Sequence, residues 1–274
     1  MFPGARADRA DADYVVMGAP LDTSATFRPG ARFGPDRVRQ FATGFEDYHH
    51  EFDGHFTELA VHDAGDVRAW DDAAEYLDHL ERELRSVRDD DAVPLLLGGE
   101  HTVSVAAVRA TEPAVFVALD AHLDLRESFD GNPYSHATVT HHALDVADRV
   151  VVVGARAGAE AEWERAGADD VTVVPPGVVD SWEPTVGGPV YLSVDLDAAD
   201  PGFAPGTGTP EPFGLEPTQM RTIVRRLAPR TVGCDVVEVT DRDDGQTATL
   251  AAKLLREFVF AHAAGEGVDT SRLY

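Results

Sequence analysis

Five residues at the ends of two apolar runs have types and spacing suited to metal chemistry. In VFVALDAHLDLRES, Asp120, His122 and Asp124 follow an apolar run, and in VYLSVDLDAADP, Asp195 and Asp197 follow another. In an extended chain, positions i, i+2 and i+4 share a face, each step of two covering about 6–7 Å. The acidic and imidazole groups would then point one way, with Ala121 and Leu123 turned the other way. Burying even one isolated charge costs several kcal/mol, so four aspartates gathered at the mouth of an apolar sheet need cations. Two divalent ions would balance them. Oxygen-rich donors with few imidazoles and no thiolate favour Mn2+ or Mg2+, and the histidines favour Mn2+ over Mg2+. Two such ions about 3.5–4 Å apart can turn water into a nucleophile at neutral pH. Taken alone, an Asp at a strand end is usually a helix cap or turn residue. The recurrence on two runs carries the metal reading, and PLLLGGEHTVS adds a third element: a strand, a Gly-Gly turn, then His101 at a helix start.

The elements that must position these groups are legible as short apolar, β-branched strings at 14–19, 59–62, 93–97, 115–119, 149–154, 171–174, 190–194 and 232–239. They are continuous rather than alternating, as in strands buried on both faces. Helix-like stretches lie between them at 35–42, 71–88, 102–109, 158–166, 217–227 and 247–262. Alternating strands and helices predict an α/β fold: three αβα layers around a mostly parallel sheet of about eight strands. In such folds ligands bind outside the carboxyl ends of the strands, where the five residues fall. No repeat or linker divides the chain, and residues 1–274 are expected to form a single domain.

Composition excludes several classes of function. There are 49 acidic and 23 basic residues, a formal charge of −26, with Lys253 the only lysine. Such a surface repels nucleic acid and anionic membranes. It is read as adaptation to a salty cytoplasm; steering of cationic substrates is the alternative. No apolar run reaches the length of a membrane span, and the N-terminus lacks a signal-peptide pattern, so a cytoplasmic location is expected. The one cysteine, Cys234, cannot form an internal disulfide and reads as a small buried strand residue.

Together the motifs resemble the ureohydrolase family of arginases, agmatinases and relatives. GGEH (98–101), DAHLD (120–124) and SVDLDAADP (193–201) occur in the family's order, followed by the string APGTGTPEPFGL (204–215). The segments at 18–39, DAGDV (63–67) and DVVEVTD (235–241) are also similar to the family, so the resemblance covers nearly the whole chain. It implies two Mn2+ per subunit. His101, Asp120, Asp124 and Asp195 would hold one ion, and His122, Asp120, Asp195 and Asp197 the other. Asp124 would also orient the attacking water. Glu238 matches the acidic partner of the substrate guanidinium, a pairing that suits a planar cation. His136, in NPYSHATV, matches a histidine lining the pocket and would shuttle a proton, work suited to imidazole. His49, His50, His55, His141 and His142 are assigned no role.

The resemblance implies hydrolysis of a guanidino compound to urea and an amine. The Ala-Pro-Gly form of the long string is most like agmatinase, which makes agmatine, split to putrescine and urea, the expected substrate. Guanidinobutyrate or another guanidino acid is the alternative, with Arg126 or Arg28 as possible partners of a carboxylate tail; arginase activity is less expected. Four places depart from the family pattern. Glu100 stands for Asp, Ala137 for the Gly of arginases, Phe213 for a frequent Gly, and Thr240-Asp241 for Asn-Pro. The last three are expected near the pocket mouth. An inactive, regulatory ureohydrolase-like protein should have lost ligands, and all six are present. A deacetylase-like hydrolase would use a single zinc. By resemblance the chain is expected to form trimers or hexamers.

Overall fold

The computed structural model describes residues 1–184, 187–240 and 242–265. Eight strands form one sheet. They are β1 (Tyr14–Ala19), β4 (Val61–Asp66), β5 (Val93–Gly98), β6 (Val115–Leu119), β7 (Arg149–Val153), β8 (Val171–Val174), β9 (Val190–Asp195) and β10 (Thr231–Val237). Their order is β4-β1-β5-β10-β9-β6-β7-β8, and every neighbouring pair is parallel. A two-residue hairpin, β2 (Tyr48–His49) and β3 (Gly54–His55), stands apart from it.

The apolar strings make two cores, one on each side of the sheet. Val16, Leu95, Leu97, Val117, Leu192 and Cys234 face one side; α1 (Gly34–Ala42), α6 (Pro217–Leu227) and α7 (Gln246–Ala264) pack there. Val15, Leu96, Phe116, Val150 and Tyr191 face the other, against α2 (Ala73–Asp89), α3 (Val103–Thr111) and α4 (Val139–Ala143). This is the three-layer arrangement read from the sequence. Both faces of each central strand are covered, which is why no polar alternation marks them. Among the described residues no helix is long and apolar enough to cross a membrane.

Some boundaries differ from expectation. The string at 59–62 becomes strand only from Val61, because Leu59 closes a 3-10 turn, Phe56–Glu58. The helix expected over 158–166 contracts to α5 (Glu160–Arg165): the Glu162 carboxylate accepts the Ala159 backbone N–H at 2.8 Å and fixes the start there. The strand expected over 232–239 ends at Val237, since Glu238 takes a left-handed φ of 62°. The short helix α4 and the hairpin carry too few residues to show a period.

Topology converts these strands into a site. The four segments that carry candidate chemistry leave β5, β10, β9 and β6, which are adjacent in the middle of the sheet. Neighbouring strands lie about 4.8 Å apart, so four parallel strands deliver four chain segments to one patch. Register completes the delivery, with Leu119 level with Val194, Val237 with Asp195 and Val236 with Leu97.

Candidate active site

The chain does not stay extended where the acidic residues lie. β6 ends at Leu119, and Asp124 takes a left-handed φ of 51°. Asp197 sits in a 3-10 turn, Leu196–Ala198, whose first N–H groups include one bonded to the Asp195 carboxylate at 2.8 Å. The expected face-sharing by alternation is therefore replaced by turns. The Ala121 carbonyl accepts from the N–H groups of Arg156 (2.8 Å) and Ala157 (3.0 Å), and the His122 N–H donates to Asp120 Oδ1 at 2.7 Å. These bonds fold the segment after Asp120 back over the strand ends, and Leu123 still packs into the core.

The six candidate ligands come together all the same. His101 Nδ1 lies 3.0 Å from Asp120 Oδ2, 3.0 Å from Asp124 Oδ2 and 3.5 Å from Asp195 Oδ2. His122 Nδ1 lies 3.0 Å from Asp197 Oδ2 and 3.6 Å from Asp120 Oδ1. Two groups of side chains, His101–Asp120–Asp124 and Asp120–His122–Asp197, each converge closely enough to hold a metal ion, and Asp120 belongs to both. All six are buried except His122, which is partly open to the cavity.

Electrostatics test whether cations fit. Burial pushes the carboxyl of Asp124 up to about 7, with the charge of Asp120 adding to it. Burial and the charges of Asp197 and Asp120 drive Asp195 far above the ordinary carboxylate range. Burial also works against charge on Asp120, yet the neighbouring imidazoles of His101 and His122 hold it well below that range. His122, although desolvated, is raised to about 12 by Asp197 and Asp120. Carboxylates this crowded cannot all ionise without opposing charge. One further detail bears on what that opposing charge could be. His101 Nδ1 and Asp120 Oδ2 are buried and make no hydrogen bond, although only 3.0 Å apart. The other ring nitrogen, Nε2, is engaged with Ser193 Oγ at 3.0 Å. A lone pair and a carboxylate oxygen aimed at one point, with the imidazole braced from behind, is a donor set for a divalent ion.

The surroundings hold residues that the sequence did not single out. Asp235, fully buried, accepts hydrogen bonds from Ser193 Oγ (2.6 Å), Ser104 Oγ (2.7 Å) and Tyr191 OH (2.8 Å), so it stands behind the Ser193–His101 contact. Thr209 Oγ1 donates to Asp197 Oδ2 at 3.2 Å. Arg156 donates to the carbonyls of Asp197, Ala198, Ala199 and Glu211, tying the turn to the long string. No periodicity marks such residues; a polar residue inside an apolar string, as with Ser193 and Asp235, is the signal that was available.

Glu238 is buried after β10, where its Oε1 accepts the His101 backbone N–H at 2.8 Å. Burial pushes it up to about 8. A Cβ at Gly208 would lie 3.1 Å from Glu238 Oε2, so the glycine keeps the space beside that oxygen open. His136 lines a cavity with His122, Asp124, Arg126, Phe129, Ala137 and Thr209 among its neighbours. Burial lowers the His136 pKa, and the Glu100 charge is the largest influence against that. Of the departures expected at the pocket mouth, Ala137 lines this cavity, whereas Phe213 and Thr240 are not among its lining residues. Phe213 is 86% exposed with a left-handed φ of 67°, which accounts for the family's frequent glycine there. Thr240 is buried, its N–H bonded to the Gly206 carbonyl at 2.7 Å; Asp241 lies outside the described residues. Cys234 is buried on β10.

Comparison with known proteins gives these features a context. A family model described as the arginase family matches residues 12–261. An agmatinase of Pyrococcus horikoshii is 36% identical over 259 residues, covering 90% of this chain and 91% of that protein. An N(1)-aminopropylagmatine ureohydrolase of Thermococcus kodakarensis is 35% identical over 256 residues, with 89% and 88% covered. The crystal structure of agmatine ureohydrolase of Thermoplasma volcanium matches with a TM-score of 0.90 at 34% identity, covering 96% of this chain and 94% of that one. Fold and site together define an arginase-like α/β enzyme. The chain belongs to the arginase family, and it is a hydrolase of carbon–nitrogen bonds in linear amidines that releases urea from a guanidino compound.

Proposed function

We propose that residues 1–274 form one catalytic domain that hydrolyses agmatine to putrescine and urea with two Mn2+ per subunit. The observation that carries the metal part is the pair of Asp/His groups sharing Asp120, with an unbonded buried Nδ1 and Oδ2 between them. His101, Asp120, Asp124 and Asp195 would hold one ion, and His122, Asp120, Asp195 and Asp197 the other. When bound, the two ions supply Lewis acidity and lower the pKa of a coordinated water.

The chain's own residues do the rest. Glu238 takes the substrate guanidinium, whose positive charge would favour the ionised carboxylate that burial alone disfavours, by a charge-assisted hydrogen bond, with Gly208 leaving room beside Oε2. Asp124 orients the water that adds to the guanidinium carbon. The bond from that carbon to the tail nitrogen breaks, and a proton passed through His136 goes to this nitrogen. One water and one guanidinium thus give urea and an ammonium product.

The cavity favours an uncharged or cationic tail over a carboxylate. Arg126 lines it but pairs through Nε with Glu162 at 3.2 Å and stacks on Phe129 at 5.0 Å. Arg28 stacks on Phe27 and is not among the lining residues. Arg126 is already paired with Glu162 and Arg28 does not line the cavity; guanidinobutyrate stands as the second reading because Arg126 still borders it. A cytoplasmic homo-oligomer, trimer or hexamer, completes the proposal.

Urea release from agmatine, arginine and guanidinobutyrate, by Mn2+-loaded protein in molar salt, tests it. Urea from agmatine alone, falling to background in Asp197→Ala, is the expected result. Urea from another member of the panel replaces the substrate and keeps the chemistry. No urea from any, with two ions bound, overturns the enzyme and leaves a regulatory protein.

A further inference from the structure

Ser24 hangs between a buried carboxylate and the cavity imidazole. Glu100 is fully buried and accepts four hydrogen bonds. Oε2 takes the backbone N–H groups of Thr23 (2.6 Å) and Ser24 (2.7 Å), and Oε1 takes the hydroxyls of Ser24 (2.8 Å) and Thr102 (2.7 Å). The same Ser24 Oγ accepts the His136 backbone N–H at 3.0 Å and lies 3.0 Å from His136 Nδ1.

Counting hydrogens decides what that last contact is. A serine hydroxyl has one hydrogen and two lone pairs. Glu100 and the imidazole both compete for the hydrogen, and a bond to a carboxylate is roughly twice as strong as one to a neutral acceptor. The hydrogen goes to Glu100, and Ser24 Oγ faces the imidazole as an acceptor. Nδ1 must then carry the ring proton. The Ser135 hydroxyl is the rival donor to Nδ1, but at 3.4 Å it stands farther off than Ser24 at 3.0 Å and makes the weaker contact. Nε2, which makes no hydrogen bond among the described residues, is left as the ring nitrogen available to the cavity that His136 lines.

We propose that Glu100 and Ser24 are positioning residues that fix His136 as the Nδ1–H tautomer and so present a bare Nε2 lone pair to the substrate. The pinned ring can then use one atom for the whole transfer: Nε2 takes the proton released by the attacking water and returns it to the leaving amine, while Nδ1–H stays on Ser24. With the opposite tautomer, Nε2 would arrive already protonated and could not collect that proton. The catalytic use rests on the ureohydrolase reading; the tautomer does not.

Nitrogen NMR of histidine-labelled full-length protein, loaded with a diamagnetic divalent ion, reads the tautomer directly. The His136 signal is identified by its loss in His136→Asn. The expected wild-type pattern is a protonated Nδ1 and a bare Nε2. In Ser24→Ala the pattern shifts towards Nε2–H, and kcat for urea release falls with KM nearly unchanged, towards the roughly 100-fold lower bound of what a positioned proton-transfer group contributes. Ser24→Thr, which keeps the hydroxyl, restores both. An Nε2–H wild type, or Ser24→Ala with unaltered nitrogen shifts and kcat, overturns the relay. A wild type that releases no urea sinks the functional reading instead, because the nitrogen shifts need no turnover.

Discussion

Glu238, the proposed partner of the substrate guanidinium, is shaped by its own backbone and one neighbour. Its left-handed φ of 62° turns the chain at the end of β10, and the His101 N–H holds Oε1. Oε2 is left beside Gly208, where a side chain would crowd it. A neutral amide in the same shape would keep the turn and lose the charge-assisted bond. Glu238→Gln is therefore expected to lower kcat/KM by about 100-fold, from a loss of roughly 2–3 kcal/mol. Metal titration should still give two ions per chain; a variant that loses an ion instead would make Glu238 part of the metal cluster. The six candidate ligands were legible as residue types in the sequence, because Asp-x-His-x-Asp and Asp-x-Asp recur at the ends of apolar strings. Their convergence was not legible in detail. The segment between Asp120 and Asp124 is folded by the N–H groups of Arg156 and Ala157, which come from another strand end, and the Asp197 turn by the Asp195 carboxylate, a local cap that no apolar string reveals. Ser24 was invisible because it acts through neighbours distant in the chain, and Asp235 showed only as a polar residue inside an apolar string.

At the scale of elements, the strand strings were readable and the fastenings between peripheral elements were not. The strings at 14–19 and 115–119 match β1 and β6 at both ends, since a strand buried on both faces must be apolar throughout, and the string at 171–174 matches the edge strand β8, whose middle is half-buried. The hairpin β2–β3 has no such pattern and is held by ionic contacts. Arg225 on α6, 3% exposed at its side chain, pairs with Glu257 on α7 at 2.6 Å and with Glu51 between the hairpin strands. His49 on β2 meets the other Glu257 oxygen at 3.2 Å. Burial alone would raise Glu257, but His49 and Arg225 bring it down to about 2. A depressed carboxyl stabilises the fold above its unfolded pKa, near 4.5, and that contribution is lost as pH falls towards about 2. Glu257→Gln leaves Arg225 buried with one partner fewer, and losing one member of a buried pair costs about 3–5 kcal/mol. Urea unfolding at neutral pH should show that loss. The gap between variant and wild type should close as pH drops below about 4.5. A gap independent of pH would assign the effect to packing of the side chain instead.

At the scale of the whole molecule, the dominant fact is a formal charge of −26 on 274 residues. Like charges on one compact surface repel at a range set by salt, about 10 Å at 0.1 M and about 3 Å at 1 M. The parallel sheet and its two cores must hold against that repulsion at low salt, so thermal stability should rise between about 0.1 and 1 M KCl, as the screening length falls below the spacing of neighbouring surface charges. The same field should act on the substrate in the opposite sense. A cationic guanidine is drawn towards an acidic protein at low salt, and screening weakens the attraction. If the charge serves the solubility and integrity of the fold in a salty interior, kcat/KM for agmatine should climb with KCl together with the melting temperature. If it serves substrate steering, kcat/KM should fall with KCl over the range in which the protein is fully folded. A neutral osmolyte such as sucrose separates screening from general stabilisation, because it is excluded from protein surfaces without screening charge. Recovery of stability in sucrose at low salt, with kcat/KM then higher than in molar KCl, would show that the acidic surface guides the substrate. Stability recovered only by KCl would assign the surface to life at high ionic strength.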